Sequence, residues 1–546
     1  MGTHLPTPPA PTPKPPFGVQ TPAARADTAK QIRIDAADFE RKQHLPAHTD
    51  NGDETRYPDK IGSYSKGLPH NSFGEVDLAA YATLSKAVTF GKPADFQAIT
   101  LGGPAGGSVK LVNPQAGLAF DLLGADSHAL KIPPSPPVAS ATRAGEMVEL
   151  YWMALCRDVP FSQYATDALT QAAITDLNNL SSFSGPKVAG KVTAQTLFRG
   201  DTPGELIGPY ISQFFLMNAG FGDLAVNDPL GNPAQQYIAY QPNLDYMTDL
   251  ASWLAVQNGQ ATVSPLPPGN FFGPNVTIGP RYLFDGRGGS AFVHVDELYQ
   301  AYFMAALNLL DNLKFDSYDV DNPYQVPNPC SATEAGFGTF GNPHVVTLVA
   351  EVATRALKAQ WFQKWFVHRT LRPEAYGGLV HFTKAGEKNY PVHKDVLNSA
   401  ALPALFAKFN SYLLPMAFPE GSPQHPSYGS GHATVAGACA TIIKAFFNED
   451  MPILNPVQAS PDGTALVPYT GPDANKLTVK TEANKIAGNV GMFRNHAGVH
   501  WRSDHVESIK LGEEIAISIL RDQKWLYNEP FKGWTFTKFD GASVTI

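Results

Sequence analysis

The chain has 546 residues, 43% of them hydrophobic and 16% charged, with a formal net charge of −8. That length supplies a large apolar core, and the acidic balance leaves no overall basic field for nucleic acid. No apolar run reaches the roughly 18 residues of a membrane-spanning helix, and the N-terminus shows no cationic and apolar regions of a secretory signal. The sequence therefore indicates neither a membrane nor a compartment.

Residues 1 to about 30 carry PTPPAPTPKPP at 6–16 and read as an extended, mobile tail. Residues 31–546 read as a single large body. Helical periodicity predicts helices over 144–156, 205–219, 291–313, 345–371, 432–447, 482–495 and 505–521. Short strands are expected only near 98–112 and at the C-terminus. Pro/Gly-rich connectors at 262–290, 319–343 and 451–475 are long for a compact domain and read as ordered surface or functional loops. The GRGGS run at 286–290 has no predicted strand before it and lacks the full glycine spacing of a dinucleotide site. Cys156, Cys330 and Cys439 are far apart, form no zinc or haem pattern, and read as buried reduced thiols. The expected fold class is mainly α.

Three motifs between residues 360 and 505 carry chemistry. In the predicted helix 345–371, Trp361, Lys364, Trp365, His368 and Arg372 fall on one stripe about 100° wide. Lys364 and Arg372 would lie about 12 Å apart on one face if the helix stays regular. Pro373 should end that helix at Arg372 and let the guanidinium fold back. A solvated charged face is the bland alternative, and the two flanking tryptophans favour a covered site.

The second motif is Pro426-Ser-Tyr-Gly-Ser-Gly-His432. Ser430 suits the N-cap of the helix 432–447, Gly431 allows close backbone approach, and the helix N-terminus attracts an anion. His432 would sit beside that anion and pass protons. His425 requires a loop to reach the same wall. The third motif runs from Arg494 to Asp504. A continuous helix would put Arg494 and His500 on different faces, so Gly498 is expected to stop the helix and turn both inward. Asp504 is expected either to accept the Nδ1–H of His500 or to act as an N-cap with Glu507, and both can hold. His368, His496 and His505 read as structural. Three cations in an acidic chain, a Ser-Gly-His turn and two histidines fit a tetrahedral oxyanion, because arginine forks match its oxygens.

Together these residues, KxxxxxxxRP, PSxxSGH and RxxxxxHxxxD, form the signature of the type 2 phosphatidic acid phosphatase and vanadium haloperoxidase superfamily. HPSYGSGHA, LKAQWFQKWFVHRTLRPEAYGG, GDTPGELIGPYISQFF and KLVNPQAGLAFDLLGAD resemble the algal and cyanobacterial bromoperoxidases of that superfamily, from about residue 35 to the C-terminus. The resemblance implies a helix-bundle architecture that assembles as homo-oligomers, dimers or larger. It implies vanadate bonded to His500 and held by Lys364, Arg372, Arg494, Ser430 and the Gly431 backbone, with His432 as acid or base.

The implied reaction is oxidation of bromide, with chloride or iodide as secondary halides, by hydrogen peroxide to hypohalous acid, which halogenates small organic substrates. Lys364 would polarise the peroxide. His425 matches the bromoperoxidase pattern, whereas Trp361 departs from a red-algal arginine and bears on halide choice. Some relatives bind calcium, for which Asp319 and Asp321 are the only loop carboxylates singled out. The same pocket also allows a soluble phosphomonoesterase, with His500 as nucleophile, or a non-catalytic oxyanion-binding protein. The proton-shuttling His432 counts against the latter.

Overall fold

The computed structural model describes residues 18–43, 45–103, 109–218, 234–260, 277–311 and 317–546. Seven helices position the site: α1 (Ala141–Leu155), α2 (Gly286–Val295), α3 (Asn342–Phe362), α4 (Pro373–Lys384), α5 (Gly431–Phe446), α6 (Val479–His496) and α7 (Arg502–Gln523). Their starts follow local capping chemistry. The Ser140, Ser430 and Thr478 hydroxyls and the Asp285 carboxylate accept first-turn N–H groups of α1, α5, α6 and α2.

Helix α5 is the axis of the bundle. Every residue from Ala433 to Phe446 is buried, as expected of a helix that is apolar nearly all round. Helices α3, α6 and α7 pack about it. The closest crossing uses two glycines. A Cβ on Gly437 would stand 2.0 Å from the Ile509 carbonyl oxygen, and one on Gly512 would stand 1.9 Å from the Thr434 carbonyl oxygen. Neither site can take a side chain without moving backbone. A smaller apolar cluster of Tyr64, Leu68, Leu84 and Trp365 lies outside the main core.

Among the described residues, strands occur as three separate antiparallel pairs: Tyr237–Tyr240 with Thr277–Arg281, Val457–Ala459 with Leu466–Pro468, and Thr535–Thr537 with Ser543–Thr545. The last is the expected C-terminal hairpin. No strand forms among the described residues of 98–112, a range in which 104–108 lie outside the described residues.

Several expectations need correction. The tail does not extend to residue 30. Residues 1–17 lie outside the described residues, but Pro22–Lys42 is helical, with Thr21 accepting the Ala24 N–H and Glu40 paired with Arg521. Segment 205–219 is not a helix. Gly208 and Pro209 interrupt it, Pro203 and Gly204 stand just before it, and its described residues 205–218 form turns and one 3-10 turn, Gln213–Phe215. The predicted helix 291–313 is two helices, α2 and Gln300–Asp311, and 312–316 lie outside the described residues.

A strand, Thr277–Arg281, does precede the GRGGS run. Its glycines serve packing instead: a Cβ on Gly286 would meet the His496 ring at 2.5 Å, and one on Gly289 would meet the Phe493 ring at 2.2 Å. All three cysteines are free; Cys156 and Cys439 are buried, and Cys330 is partly exposed. No helix among the described residues is long and apolar enough to cross a membrane.

Candidate active site

The first motif is organised by a break in helical phase. Helix α3 ends at Phe362, Gln363–His368 forms a π turn, and Arg369 at φ +38° stops it. Arg372 is the N-cap residue of α4. Lys364 and Arg372 therefore do not share one regular helix face, and the helix ends before Arg372. Pro373 acts as the first residue of a new helix, the position where its missing N–H costs nothing.

The two cations meet through one loop. Lys364 Nζ donates to the carbonyls of Pro426 at 2.8 Å and Ser427 at 2.9 Å. Arg372 Nε donates to the His425 carbonyl at 2.8 Å and its Nη2 to His425 Nδ1 at 2.9 Å. The expected stripe splits. Trp361 stays at the site, with its ring 5.8 Å from Lys364 Nζ and 4.8 Å from the His425 ring. Trp365 turns into the smaller cluster against Tyr64, and His368 packs edge-on to Tyr428.

The second motif opens α5 as expected. The Ser430 hydroxyl accepts the Ala433 N–H at 3.3 Å. A Cβ on Gly431 would come within 3.0 Å of the Trp361 ring, so glycine keeps the helix start open beside that tryptophan. His432 is on the first turn, and its Nε2 lies 2.9 Å from Asp296 Oδ1.

The third motif turns as the glycine predicts. Helix α6 ends at His496, and Gly498 adopts φ +83°. Arg494 Nη1 donates to the Val293 carbonyl at 2.6 Å, and its buried Nε has no partner among the described residues. His500 Nδ1 lies 2.7 Å from Asp504 Oδ2. That oxygen also accepts from Ser427 Oγ at 2.5 Å and from the Trp501 N–H at 3.2 Å. A carboxylate can only accept, so the His500 proton sits on Nδ1. Nε2 is then a lone pair, and it accepts from Arg372 Nη1 at 3.1 Å. Asp504 is the third residue of α7, reaching back to Trp501, rather than an N-cap residue. Glu507 pairs with Lys510 at 3.2 Å and completes no capping box with it.

Burial first, and then charge crowding, shifts the ionisable groups of the site. Burial, then the neighbouring Arg372, pushes Lys364 well below the usual lysine range. Burial brings Arg372 down to about 10, and burial with Arg372 brings Arg494 down to about 10. Burial and then the surrounding cations hold His425 and His500 well below the usual histidine value. Burial also lowers His432, while Asp296 opposes the shift. Burial raises Asp504 against the pull of Lys364. A bound oxyanion would relieve this repulsion. The pocket offers three cations, an unprotonated imidazole nitrogen, an unpartnered buried guanidinium N–H and a glycine-lined helix N-terminus. This donor set fits a tetrahedral oxyanion such as vanadate.

The relatives of the chain agree with that chemistry. The family profile described as VCPO second helical-bundle domain matches residues 345–529, the span of all three motifs. A vanadium-dependent bromoperoxidase of Corallina officinalis is 35% identical, over 96% of this chain and 98% of its own length. One from Ascophyllum nodosum is 34% identical, over 96% and 93%. The chain belongs to the vanadium-dependent bromoperoxidases. The structure of the homohexameric second vanadate-dependent bromoperoxidase of Ascophyllum nodosum matches with a TM-score of 0.86 at 29% identity, covering 99% of this chain and 94% of that one.

Within this bromoperoxidase fold, sequence reading missed Asp296, Ser427 and the carbonyls of Pro426 and Ser427. Asp296 was hidden inside one predicted helix, whereas α2 ends at Val295 and leaves Asp296 extended beside His432. Ser427 lies within the quoted motif, but only the fold brings its hydroxyl to Asp504. Asp319 and Asp321 share a turn in which Asp319 accepts the Asp321 N–H at 2.8 Å. Among the described residues no group of three or more His, Cys, Asp or Glu is arranged for a metal ion, so the calcium expectation gains no support.

Proposed function

We propose that the chain oxidises bromide with hydrogen peroxide, using vanadate held by Lys364, Arg372, Ser430, Gly431, His432, Arg494 and His500. The observation that carries this reading is the unprotonated His500 Nε2 facing a cluster of cations. When bound, vanadate(V) supplies a Lewis acid that activates peroxide towards halide.

The residues divide the remaining work. Asp504 fixes the His500 tautomer and ring, leaving Nε2 as the metal-ligating nitrogen. Arg372, Arg494 and Lys364 balance the oxyanion charge, and Lys364 polarises peroxide oxygen with the ammonium proton not taken by Pro426 and Ser427. These fixed donors stabilise charge as the O–O bond breaks. His432, with its side chain 13% exposed, moves protons between the oxyanion and solvent, oriented by Asp296. Trp361 and His425 line the halide side. The oxidised halide leaves as hypohalous acid and halogenates small organic acceptors. The hexameric relative supports a homo-oligomer. Neither the geometry nor the relatives favour the phosphomonoesterase or the oxyanion-storage reading.

Removing vanadate should abolish peroxide-dependent bromination of a dye, and adding it back should restore the rate. Excess phosphate should slow that reconstitution, since both anions are tetrahedral. Activity that survives complete vanadium removal overturns the proposal, and fast phosphate-ester turnover without halide oxidation selects the phosphomonoesterase.

A further inference from the structure

A buried guanidinium without a carboxylate is costly, because its lost hydration is not replaced. The buried arginines of this chain divide on that criterion. Arg143, Arg157, Arg287, Arg502 and Arg521 each pair with a carboxylate. Among the described residues, Arg372, Arg494 and Arg199 have no such pair. The first two belong to the oxyanion cage. Arg199 does not, and it immediately precedes the GDTPGELIGPYISQFF stretch, which contributes no side chain to that cage.

Arg199 lines a cleft of about 240 Å³ with Phe161, Tyr164, Tyr210, Phe284 and Tyr469. Phe161 and Tyr210 stack with centroids 3.9 Å apart, and Tyr164 meets each edge-on. The Arg199 guanidinium carbon lies 5.3 Å from the Tyr210 ring centroid. The residue is only 6% exposed. Its Nη2 donates to the Pro209 carbonyl at 2.8 Å, and among the described residues no acceptor meets its other nitrogens. Nearby carboxylates are engaged elsewhere. Glu205 accepts from the Gly200 and Thr202 N–H groups and the Thr202 hydroxyl. Glu482 accepts from the Gln213 N–H and from Lys485.

We infer that this cleft is a second binding site, which takes a single-ring aromatic carboxylate. The carboxylate docks on the free Arg199 donors, and the ring packs against the aromatic walls. The volume is below the roughly 300–1,000 Å³ of drug-sized ligand pockets, so it selects one ring. Arginine is suited to this task because its planar fork grips a carboxylate while its face stacks on an aromatic. The cleft shares no residue with the oxyanion cage. Tyr210 Oη nevertheless reaches His496 Nε2 at 3.4 Å, two residues along α6 from Arg494.

The test is calorimetric titration of benzoate into the vanadate-loaded, full-length protein, with acetate and benzyl alcohol as probes lacking the ring or the charge. One saturable site per chain is expected, with both probes at least tenfold weaker and excess phosphate without effect. Arg199→Gln should weaken benzoate at least tenfold. Should that variant fold poorly, Tyr469→Ala at the partly exposed rim should lower benzoate affinity while bromination persists. Benzoate binding no tighter than that of acetate overturns the site. So does binding displaced by phosphate, or binding unchanged in a folded variant.

Discussion

Two histidine–aspartate pairs flank the oxyanion cage, and they are built by opposite means. His500 and Asp504 are four residues apart at the start of α7, and the pair is fully enclosed, with side chains 2% and 0% exposed. Ser427 and the Trp501 N–H grip the same Asp504 oxygen, while Arg372 meets the far side of the His500 ring. His432 and Asp296 come from elements 136 residues apart, meet through one contact of 2.9 Å, and leave His432 partly exposed. The difference fits the proposed division of labour. An enclosed ring fixed through Nδ1 suits a fixed bond to a metal through Nε2, whereas a ring with a path to water suits proton transfer.

The largest expected effect is His500→Ala, which should lose tight vanadate binding and bromination together, read by elemental vanadium and dye bromination. Retention of both would erase the distinction between the pairs. His432→Ala should keep much of its vanadium yet lose about 10² to 10⁴ in rate; an equal loss of vanadium would make His432 a holding residue instead. Asp504→Ala should weaken vanadate by roughly 10- to 100-fold, measured by titration.

Asp296→Asn should be milder on vanadate and act on the pH profile. Asp296 favours protonated His432, so its loss lowers the His432 pKa further and moves the acid limb of the bromination rate to lower pH. An unmoved limb would disconnect Asp296 from proton transfer.

The smallest effect concerns a histidine outside both pairs. Burial pushes His505 down to about 3, and neither ring nitrogen has a partner. A base depressed in the folded state lends stability above its unfolded value of about 6.5, and this is lost as pH falls towards 3. His505→Asn should therefore lose less Tm than the unmodified chain between those pH values. Parallel curves would show that its titration does not couple to unfolding.

The same contrast explains what could be read beforehand. The His500–Asp504 pair follows from a one-turn spacing, Ser430 from capping rules, and the inward turn of Arg494 from one glycine. Helices α5, α6 and α7 were legible because their apolar pattern is continuous. His432–Asp296 was not, because no local periodicity records a contact across 136 residues. The π turn was invisible too, since Trp361, Lys364, Trp365 and His368 satisfy an ordinary helical stripe equally well. Segment 205–219 misled in another way: Tyr210, Ile211, Phe214, Phe215 and Leu216 are buried, but Gly208 and Pro209 within it, and Pro203 and Gly204 just before it, outweigh their spacing.

That π turn also bears on redesign. It works as a single inserted residue that resets the rotational phase of the chain between Lys364 and Arg372. Deleting one residue between 363 and 368 to regularise the helix would rotate the downstream backbone by about 100° and aim Arg372 away from the loop at His425. A grafting exercise that copied only the six side chains proposed to hold the oxyanion onto a straight bundle would inherit the wrong phase. The transplantable unit is the side chains together with their irregular backbone.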